Sequence, residues 1–224
     1  MPEAIYQLEN VSFAYNEARL VLDQISYEVP QGSFVCIQGP SGSGKSTLLK
    51  LLCRLEEPGQ GLIRFGGRPL AEIYPPLLRR EAIYIQQTPV VGSGSVRDNL
   101  LLPFNFKINA DLPRPSDERL RSILDEFHLS DIGLDDPASG TSVGQKQRLC
   151  LIRSMLLSPK VMLMDEPYSA LDPASANIVW DMSRRLNREN GITILMVTHS
   201  QLGARIQDGL LVEVSQGKIR PICL

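Results

Sequence analysis

The stretch that decides the fold of this chain is Gly39-Pro40-Ser41-Gly42-Ser43-Gly44-Lys45-Ser46-Thr47. It satisfies the phosphate-loop pattern, in which a glycine, any four residues and Gly-Lys precede a serine or threonine. The glycines allow backbone N–H groups to turn toward phosphate oxygens, and the helix that follows adds its partial positive charge to the same anion site. We expect Lys45 to reach the terminal phosphates and Ser46 to bind Mg²⁺. The sequence therefore predicts that the chain binds a nucleoside triphosphate.

The segments on either side of this loop support the prediction. Residues 33–37 form a short apolar run typical of a buried strand, and residues 48–55 have the pattern of a helix. Strand, loop and helix therefore follow one another in the order that a phosphate-binding loop requires. The alternative interpretation, a flexible turn rich in glycine and serine, does not account for this context.

The composition excludes several other classes of protein. The chain has 224 residues, 43% of them hydrophobic and 21% charged, with a formal net charge of −2. This balance argues against nucleic acid as a partner, because phosphate backbones are bound by concentrated basic charge. No apolar run approaches the roughly 18 residues that span a bilayer, and the first residues lack the basic start of a signal peptide. We therefore expect a cytoplasmic protein.

Several short segments predict a small β layer. Residues 5–14 and 21–29 alternate in an extended pattern, and residues 61–65 lead into a Gly66-Gly67 turn. Tyr15 closes the first of these strands. An aromatic side chain at such an edge is expected to pack on the sheet.

Helix signals follow between residues 88 and 158. A capping box at Ser95 opens a short helix, and Ser116 opens a second helix with an apolar stripe along one face. Residues 103–115 contain three prolines and are predicted to form a loop.

The sequence Ser142-Val143-Gly144-Gln145 has two compatible interpretations. As a capping box, Ser142 and Gln145 would satisfy the unpaired N–H groups at the start of the next helix. A helix N-terminus fronted by serine and glycine also suits a second phosphate.

Two adjacent carboxylates end the apolar strand predicted at residues 161–166. Successive side chains of a strand point in opposite directions, so Asp165 and Glu166 are able to serve different tasks. A parallel sheet presents Mg²⁺ ligands at this edge, so Asp165 suits the metal and Glu166 the attacking water. Gln87 and His199 each follow a predicted strand, and we expect both to face the same ligand crevice.

These residues, in this order, resemble the nucleotide-binding subunits of ATP-binding-cassette (ABC) transporters, and the likeness covers essentially the whole chain. Residues 39–47 match the Walker A motif and residues 161–166 the Walker B motif. Gln87 matches the glutamine loop, residues 169–172 the D-loop and His199 the switch histidine. Residues 141–148 stand where the family's signature Leu-Ser-Gly-Gly-Gln lies, an element that no other phosphate-loop class carries. Tyr15 falls at the adenine-stacking aromatic, which replaces the packing interpretation.

The resemblance implies an ATPase with ATP and Mg²⁺ as cofactors. It implies that Glu166 polarises the attacking water, that Gln87 and His199 sense the γ-phosphate, and that Lys45 stabilises the developing charge. The implied Mg²⁺ ligands are Ser46, Gln87 and Asp165. The residues implied in nucleotide binding are Tyr15, Gly39, Pro40, Ser41, Gly42, Ser43, Gly44, Lys45, Ser46, Thr47, Ser142, Gly144, Gln145 and Asp172.

The resemblance also implies an α/β fold. Its core is that of a P-loop NTPase, a mostly parallel sheet flanked by helices, with an N-terminal antiparallel β layer and an inserted helical subdomain. Residues 1–224 would form one ABC ATPase domain. Residues 1–87 and 159–224 would form the nucleotide-binding core with the β layer, and residues 88–158 the helical subdomain that carries the signature motif.

Two partners are implied. A second copy of the cassette would pair head to tail with the first on ATP binding, each ATP lying between one chain's Walker A motif and the other's signature. An integral membrane permease subunit would insert a coupling helix into a groove near Gln87, holding the chain on the inner face of the cell membrane.

Val143 departs from the glycine that the family usually has at this position of the signature. This β-branched residue is expected to weaken ATP-driven closure.

Two further resemblances concern the cargo. Gln87-Thr88-Pro89 with residues 95–100 is similar to bacterial cassettes of iron export, whereas residues 147–150 and 164–173 are similar to phosphate importers. A different class remains open, a soluble ABC ATPase acting in iron–sulfur cluster assembly. A catalytically inactive binding module conflicts with the joint presence of Lys45, Asp165, Glu166 and His199.

Overall fold

The computed structural model describes residues 3–16, 20–198 and 209–222. The strands in chain order are β1 (Ala4–Ala14), β2 (Leu20–Pro30), β3 (Phe34–Gln38), β4 (Gln60–Phe65), β5 (Arg68–Pro69), β6 (Ala82–Ile85), β7 (Val161–Asp165), β8 (Thr193–Val197), β9 (Leu210–Ser215) and β10 (Lys218–Ile222). The helices are α1 (Lys45–Leu52), α2 (Pro75–Glu81), α3 (Val96–Leu101), α4 (Asp117–Glu126), α5 (Val143–Met155) and α6 (Pro173–Asn190).

A mostly parallel sheet lies at the centre of the structure. Its order across the described strands is β10-β9-β3-β8-β7-β6, and only the β9–β10 pair is antiparallel. β3, β7 and β8 are continuous apolar runs because both faces of the sheet are covered. On one face Val35 and Ile37 join the first core, and on the other Phe34 and Cys36 join the second.

The first core lies between the parallel sheet, α1 and a second sheet. That second sheet is antiparallel, with the order β2-β1-β4-β5, and corresponds to the predicted β layer. Tyr6 of β1 is fully buried, and its hydroxyl donates a hydrogen bond to the Leu52 carbonyl oxygen at 2.9 Å. This contact fixes the β layer against the end of α1.

The second core lies between the opposite face of the parallel sheet and helices α3 to α6. The predicted caps are present, since Ser95, Ser116 and Ser142 each accept a hydrogen bond from a backbone N–H three residues later. α6 begins after the cap residue Asp172 and ends at Gly191, whose φ of 66° terminates the helix in the left-handed conformation. α3, α4 and α5 all fall within residues 88–158, and the assignment of that range to a separate subdomain remains a prediction.

The structure differs from the sequence-based expectation in three places. α1 begins at Lys45 rather than three residues later, so the end of the phosphate loop forms the first turn of the helix. α2 was not predicted, because its first two residues are Pro75 and Pro76. A helix accepts proline in its first turn, where a backbone N–H would have no partner. The proline-rich segment is not wholly irregular, since short 3₁₀ turns occupy Leu102–Asn105 and Lys107–Asn109.

Candidate functional site

The phosphate loop connects β3 to α1 and is shaped by glycines with positive φ. Gly39 has φ of 145°, and a Cβ atom at this position would lie 2.0 Å from the carbonyl oxygen of Val214 in β9. Gly44 has φ of 102° where α1 begins, and a Cβ atom there would lie 2.8 Å from Leu22 Cδ2. Glycine is therefore required at both positions, by conformation and by the close approach of neighbouring strands.

Lys45 and Ser43 direct polar groups into this loop. Lys45 is only 7% exposed, and its ammonium group donates to the carbonyl oxygens of Gly39 at 2.9 Å and Pro40 at 2.8 Å. The Ser43 hydroxyl is buried and has no hydrogen-bond partner within the described chain. A buried hydroxyl without a partner is costly unless a ligand satisfies it. With the N–H groups at the start of α1, these donors fit a phosphate group.

Asp165 ends β7 beside the start of α1. Its Oδ1 accepts a hydrogen bond from the Ser46 hydroxyl at 2.9 Å, and its Oδ2 accepts one from the Tyr84 hydroxyl at 2.8 Å. Asp165 is 7% exposed, so its charge lies at the edge of the core. A hydroxyl and a carboxylate at this spacing are hard oxygen donors of the kind that bind Mg²⁺ together with phosphate oxygens, so the residues present fit that cation.

Glu166 turns away from Asp165. Its φ of 45° is unusual for a residue other than glycine and bends the chain immediately after β7. Its Oε2 accepts a hydrogen bond from Gln87 Nε2 at 3.3 Å, and the same amide donates to Ser169 Oγ at 3.0 Å. The two adjacent carboxylates therefore face different partners, Ser46 and Tyr84 for Asp165 and Gln87 for Glu166.

Tyr15 lies at the mouth of the same region. It is 57% exposed, stands edge to face with Phe13 at 4.8 Å between ring centroids, and its hydroxyl lies 3.1 Å from the Thr47 hydroxyl. An exposed aromatic ring at the mouth of a phosphate site is able to stack on a nucleobase.

A cleft of about 580 Å³ brings several of these groups together. The described residues that line it are Tyr15, Asn16, Val21, Ser41, Gly42, Gly44, Lys45, Ser46, Thr47, Gln87 and Glu166. His199, predicted at the same crevice, lies outside the described residues.

The predicted signature residues and Asp172 do not line this cleft. Ser142 and Gln145 form the capping box of α5, and Gln145 Nε2 also donates to Asp131 Oδ2 at 3.1 Å. Gly144 is buried, and a Cβ atom there would lie 2.8 Å from Ser175 Oγ in α6. Asp172 caps α6, and the N–H of Ser175, more than any other group, holds the pKa of its carboxyl below the ordinary value. These residues form a second group at the N-termini of α5 and α6.

Sequence reasoning missed Tyr84. Burial and its hydrogen bond to Asp165 raise the pKa of this phenol above its ordinary value, so it remains a donor at neutral pH. Its position in the strand between Ile83 and Ile85 was the available signal. The contact with Asp165 depends on the pairing of β6 with β7, which no local pattern specifies.

A groove of about 740 Å³ lies between α2, β6, the two 3₁₀ turns and the end of α5. Tyr74 and Phe106 line this groove, and their side chains are 65% and 57% exposed. A smaller concavity, lined by Gln86 and Val90 among others, adjoins it and shares Tyr84, Arg153 and Ser154. No described helix is long and apolar enough to cross a lipid bilayer.

Comparison with known proteins identifies the family. A family model described as "ABC transporter" matches residues 22–169. The chain belongs to the ABC transporter family. It is an ATP-binding subunit of that family, as the resemblance of the motifs predicted.

Two curated relatives illustrate the range within the ABC transporter family. The "Probable iron export ATP-binding protein FetA" of Escherichia coli (strain K12) is 36% identical over 197 residues, which are 88% of this chain and 85% of FetA. The "Methionine import ATP-binding protein MetN" of Thermobifida fusca (strain YX) is 40% identical over 188 residues, which are 80% of this chain and 56% of MetN. This chain therefore matches just over half of MetN, and the two names indicate different cargo and opposite directions.

The solved structure of cbiO1 from Clostridium perfringens, described as part of the ABC transporter complex cbiONQ, matches with a TM-score of 0.82 at 24% identity. The match covers 97% of this chain and 87% of cbiO1. At that identity the likeness shows the fold, and it confirms the predicted P-loop NTPase architecture with its antiparallel β layer.

Proposed function

We propose that this chain hydrolyses ATP to drive transport by a separate integral membrane permease. The observation that supports this most directly is the convergence of four features on one cleft. These are the phosphate loop with its enclosed lysine, the Ser46–Asp165 pair beside it, the Glu166–Gln87 pair, and the exposed ring of Tyr15. Each feature alone has a structural explanation, whereas together they match the needs of phosphoryl transfer.

In the proposed reaction, the backbone of residues 39–47 and the ammonium of Lys45 hold the phosphates of ATP, and Tyr15 stacks on the adenine. Ser46, Asp165 and Gln87 would hold Mg²⁺, which supplies charge neutralisation on the phosphates when bound. Glu166 orients a water molecule and accepts its proton as the water oxygen attacks the γ-phosphorus. The bond from the γ-phosphorus to its bridging oxygen breaks, which releases ADP and phosphate. Lys45 stabilises the charge that develops on the phosphoryl oxygens.

The position of the signature residues supports a paired form of the enzyme. Ser142, Gly144 and Gln145 lie apart from the cleft of their own chain, at the start of a helix whose N–H groups suit an anion. In a head-to-tail pair, they and Asp172 would complete the cleft of the second copy. His199 is included in the site because it follows β8 in the sequence and matches the family's switch histidine.

The proposed partner is a permease that docks in the groove between α2 and α5 and holds the chain on the inner face of the membrane. This chain matches 85% of the length of FetA at 36% identity. We therefore propose metal export, with iron as the first cargo to test. Import of phosphate or another small solute is the alternative.

Phosphate release and capture of partners test the proposal together. Purified wild-type chain should release phosphate from ATP in the presence of Mg²⁺, whereas Lys45→Ala and Glu166→Gln should lose about 100-fold or more of this activity.

Tagged Glu166→Gln chain, purified with ATP and Mg²⁺ from detergent-solubilised cells that make it, should retain a polytopic membrane protein in comparable amount. Recovery of soluble partners alone would contradict the transporter and favour an assembly factor.

Equal ATPase activity in the wild type and in Glu166→Gln would contradict the proposed mechanism. Thermal unfolding of each variant provides the control for folding. Glu189→Gln, which removes an exposed carboxylate near the end of α6, provides the control for the loss of one charge.

A further inference from the structure

The carboxylate of Asp165 is held by two elements at once. Oδ1 accepts the Ser46 hydroxyl of α1 at 2.9 Å, and Oδ2 accepts the Tyr84 hydroxyl of β6 at 2.8 Å. A carboxylate with one hydrogen bond is able to rotate about its side-chain torsions, whereas one fixed through both oxygens presents a defined oxygen to each neighbour. The plane of Asp165 is therefore set by Tyr84 as well as by Ser46.

The strand register explains why Tyr84 reaches this carboxylate. β6 and β7 pair in parallel with Tyr84 opposite Leu163, so the Tyr84 side chain shares the face on which Leu163 and Asp165 lie. Asp165 stands two residues beyond Leu163, within the length of a tyrosine side chain. α1 packs on the same face, which brings Ser46 to the other oxygen.

We propose that Tyr84 is a positioning residue for the Mg²⁺ site, holding Asp165 through Oδ2 so that Oδ1 is presented beside Ser46. The inference rests on the proposed function, since it assumes that Asp165 and Ser46 receive the cation that accompanies ATP. Hydrogen-bonded partners behind a metal ligand fix its orientation and typically change metal affinity by about 10- to 100-fold when they are removed.

The competing explanation is that Tyr84 only fills space. Its ring packs against the first core, and the residue is partly buried. Tyr84→Phe separates the two explanations, because it keeps the ring and removes only the hydroxyl. Tyr6→Phe is the matched control, since the Tyr6 hydroxyl also makes one hydrogen bond, to the carbonyl oxygen of Leu52 at the opposite end of α1 from Ser46.

The experiment measures Mg²⁺ dependence in two ways. Binding of a fluorescent ATP analogue is titrated with and without EDTA, and phosphate release is measured against free Mg²⁺ concentration. For Tyr84→Phe we expect the Mg²⁺ concentration of half-maximal phosphate release to rise about tenfold and the tightening of nucleotide binding by Mg²⁺ to weaken by a similar factor. Nucleotide affinity in EDTA should stay at the wild-type value. Tyr6→Phe should shift the thermal unfolding midpoint and leave both Mg²⁺ readouts unchanged.

Two results would overturn the inference in distinguishable ways. A wild-type Mg²⁺ response in folded Tyr84→Phe, with ATPase activity present in the wild-type chain, would remove Tyr84 from the site and leave the proposed function intact. A wild-type chain that bound no ATP analogue would overturn the proposed function and this inference with it.

Discussion

Gly39 and Gly42 both have positive φ in the phosphate loop, yet their surroundings differ. A Cβ atom on Gly39 would lie 2.0 Å from the Val214 carbonyl oxygen, whereas a Cβ atom on Gly42, at φ of 71°, would have nothing within 4 Å. The requirement for glycine is therefore steric and conformational at Gly39 and only conformational at Gly42. Replacing these two glycines of one motif should therefore cost different amounts of folding free energy.

We expect Gly39→Ala to lower the free energy of unfolding by about 3 kcal/mol or more, because β9 would have to move away from the loop. Gly42→Ala should cost about 1–2 kcal/mol, the strain of a left-handed alanine. Urea unfolding of the two variants beside the wild type gives the comparison. Similar losses in both would show that contact with β9 does not restrict the loop.

At the scale of a single element, α6 shows how a cap residue also carries charge. Asp172 accepts hydrogen bonds from the N–H groups of Ala174 and Ser175, both at 3.0 Å, and these bonds favour the ionised form. The N–H of Ser175 contributes most to the lowered pKa of the Asp172 carboxyl. The stabilisation of α6 by this residue therefore depends on pH.

The direction of this pH dependence follows from the lowered pKa of the Asp172 carboxyl. Because the Asp172 pKa is lower in the folded chain than the unfolded value of about 3.9, its contribution is complete above about pH 4 and is lost as the pH falls through the folded-state value. We expect Asp172→Asn, which retains a capping side chain, to reduce the free energy of unfolding at pH 7, and we expect its difference from the wild type to shrink as the pH falls through the folded-state pKa of Asp172. Urea unfolding at pH 7 and at a series of lower pH values measures this. Asp181→Asn, an exposed acid on the same helix, is the control, and a pH-independent loss would contradict the assignment.

Some elements of this structure were predictable from local sequence patterns and others were not. The phosphate loop, the carboxylates at the end of β7 and the capping boxes were predictable because spacing within ten residues determines them. α2 was missed because two consecutive prolines, Pro75 and Pro76, usually indicate a break in a helix. Here they occupy its first turn. The contact between Tyr84 and Asp165 joins residues far apart in the chain. It arises from the register of two parallel strands, which depends on packing across the whole sheet.

At the scale of the whole molecule, the separation between the cleft and the start of α5 favours a pair of chains. Val143 is 47% exposed at the first position of α5, beside Ser142. Its side chain therefore contributes little to the core of its own chain. In the proposed pair, it would stand against the phosphates of the second copy's ATP.

We expect Val143→Gly to tighten ATP-dependent pairing about three- to tenfold, measured in a Glu166→Gln background as the concentration of half-dimerisation by analytical ultracentrifugation. The physical reason is relief of crowding by a β-branched residue close to the ligand. The free energy of unfolding should fall by at most about 1 kcal/mol, the helix cost of glycine. Val90→Gly, at another exposed valine, is the control. Unchanged pairing in Val143→Gly would remove this residue from the interface.

The groove beside β6 has walls that come from separate parts of the sequence, α2 and the edge strand on one side and the end of α5 on the other. α5 also carries the signature residues at its opposite end, so one rigid helix reaches both the groove and the proposed nucleotide interface. Thermodynamic reciprocity then constrains the molecule. If nucleotide changes the affinity of the groove for its occupant by some factor, the occupant changes the affinity for nucleotide by the same factor. In the proposed complex, cargo that changed the affinity of the permease for this groove would therefore be measurable as a shift in the dissociation constant of ATP.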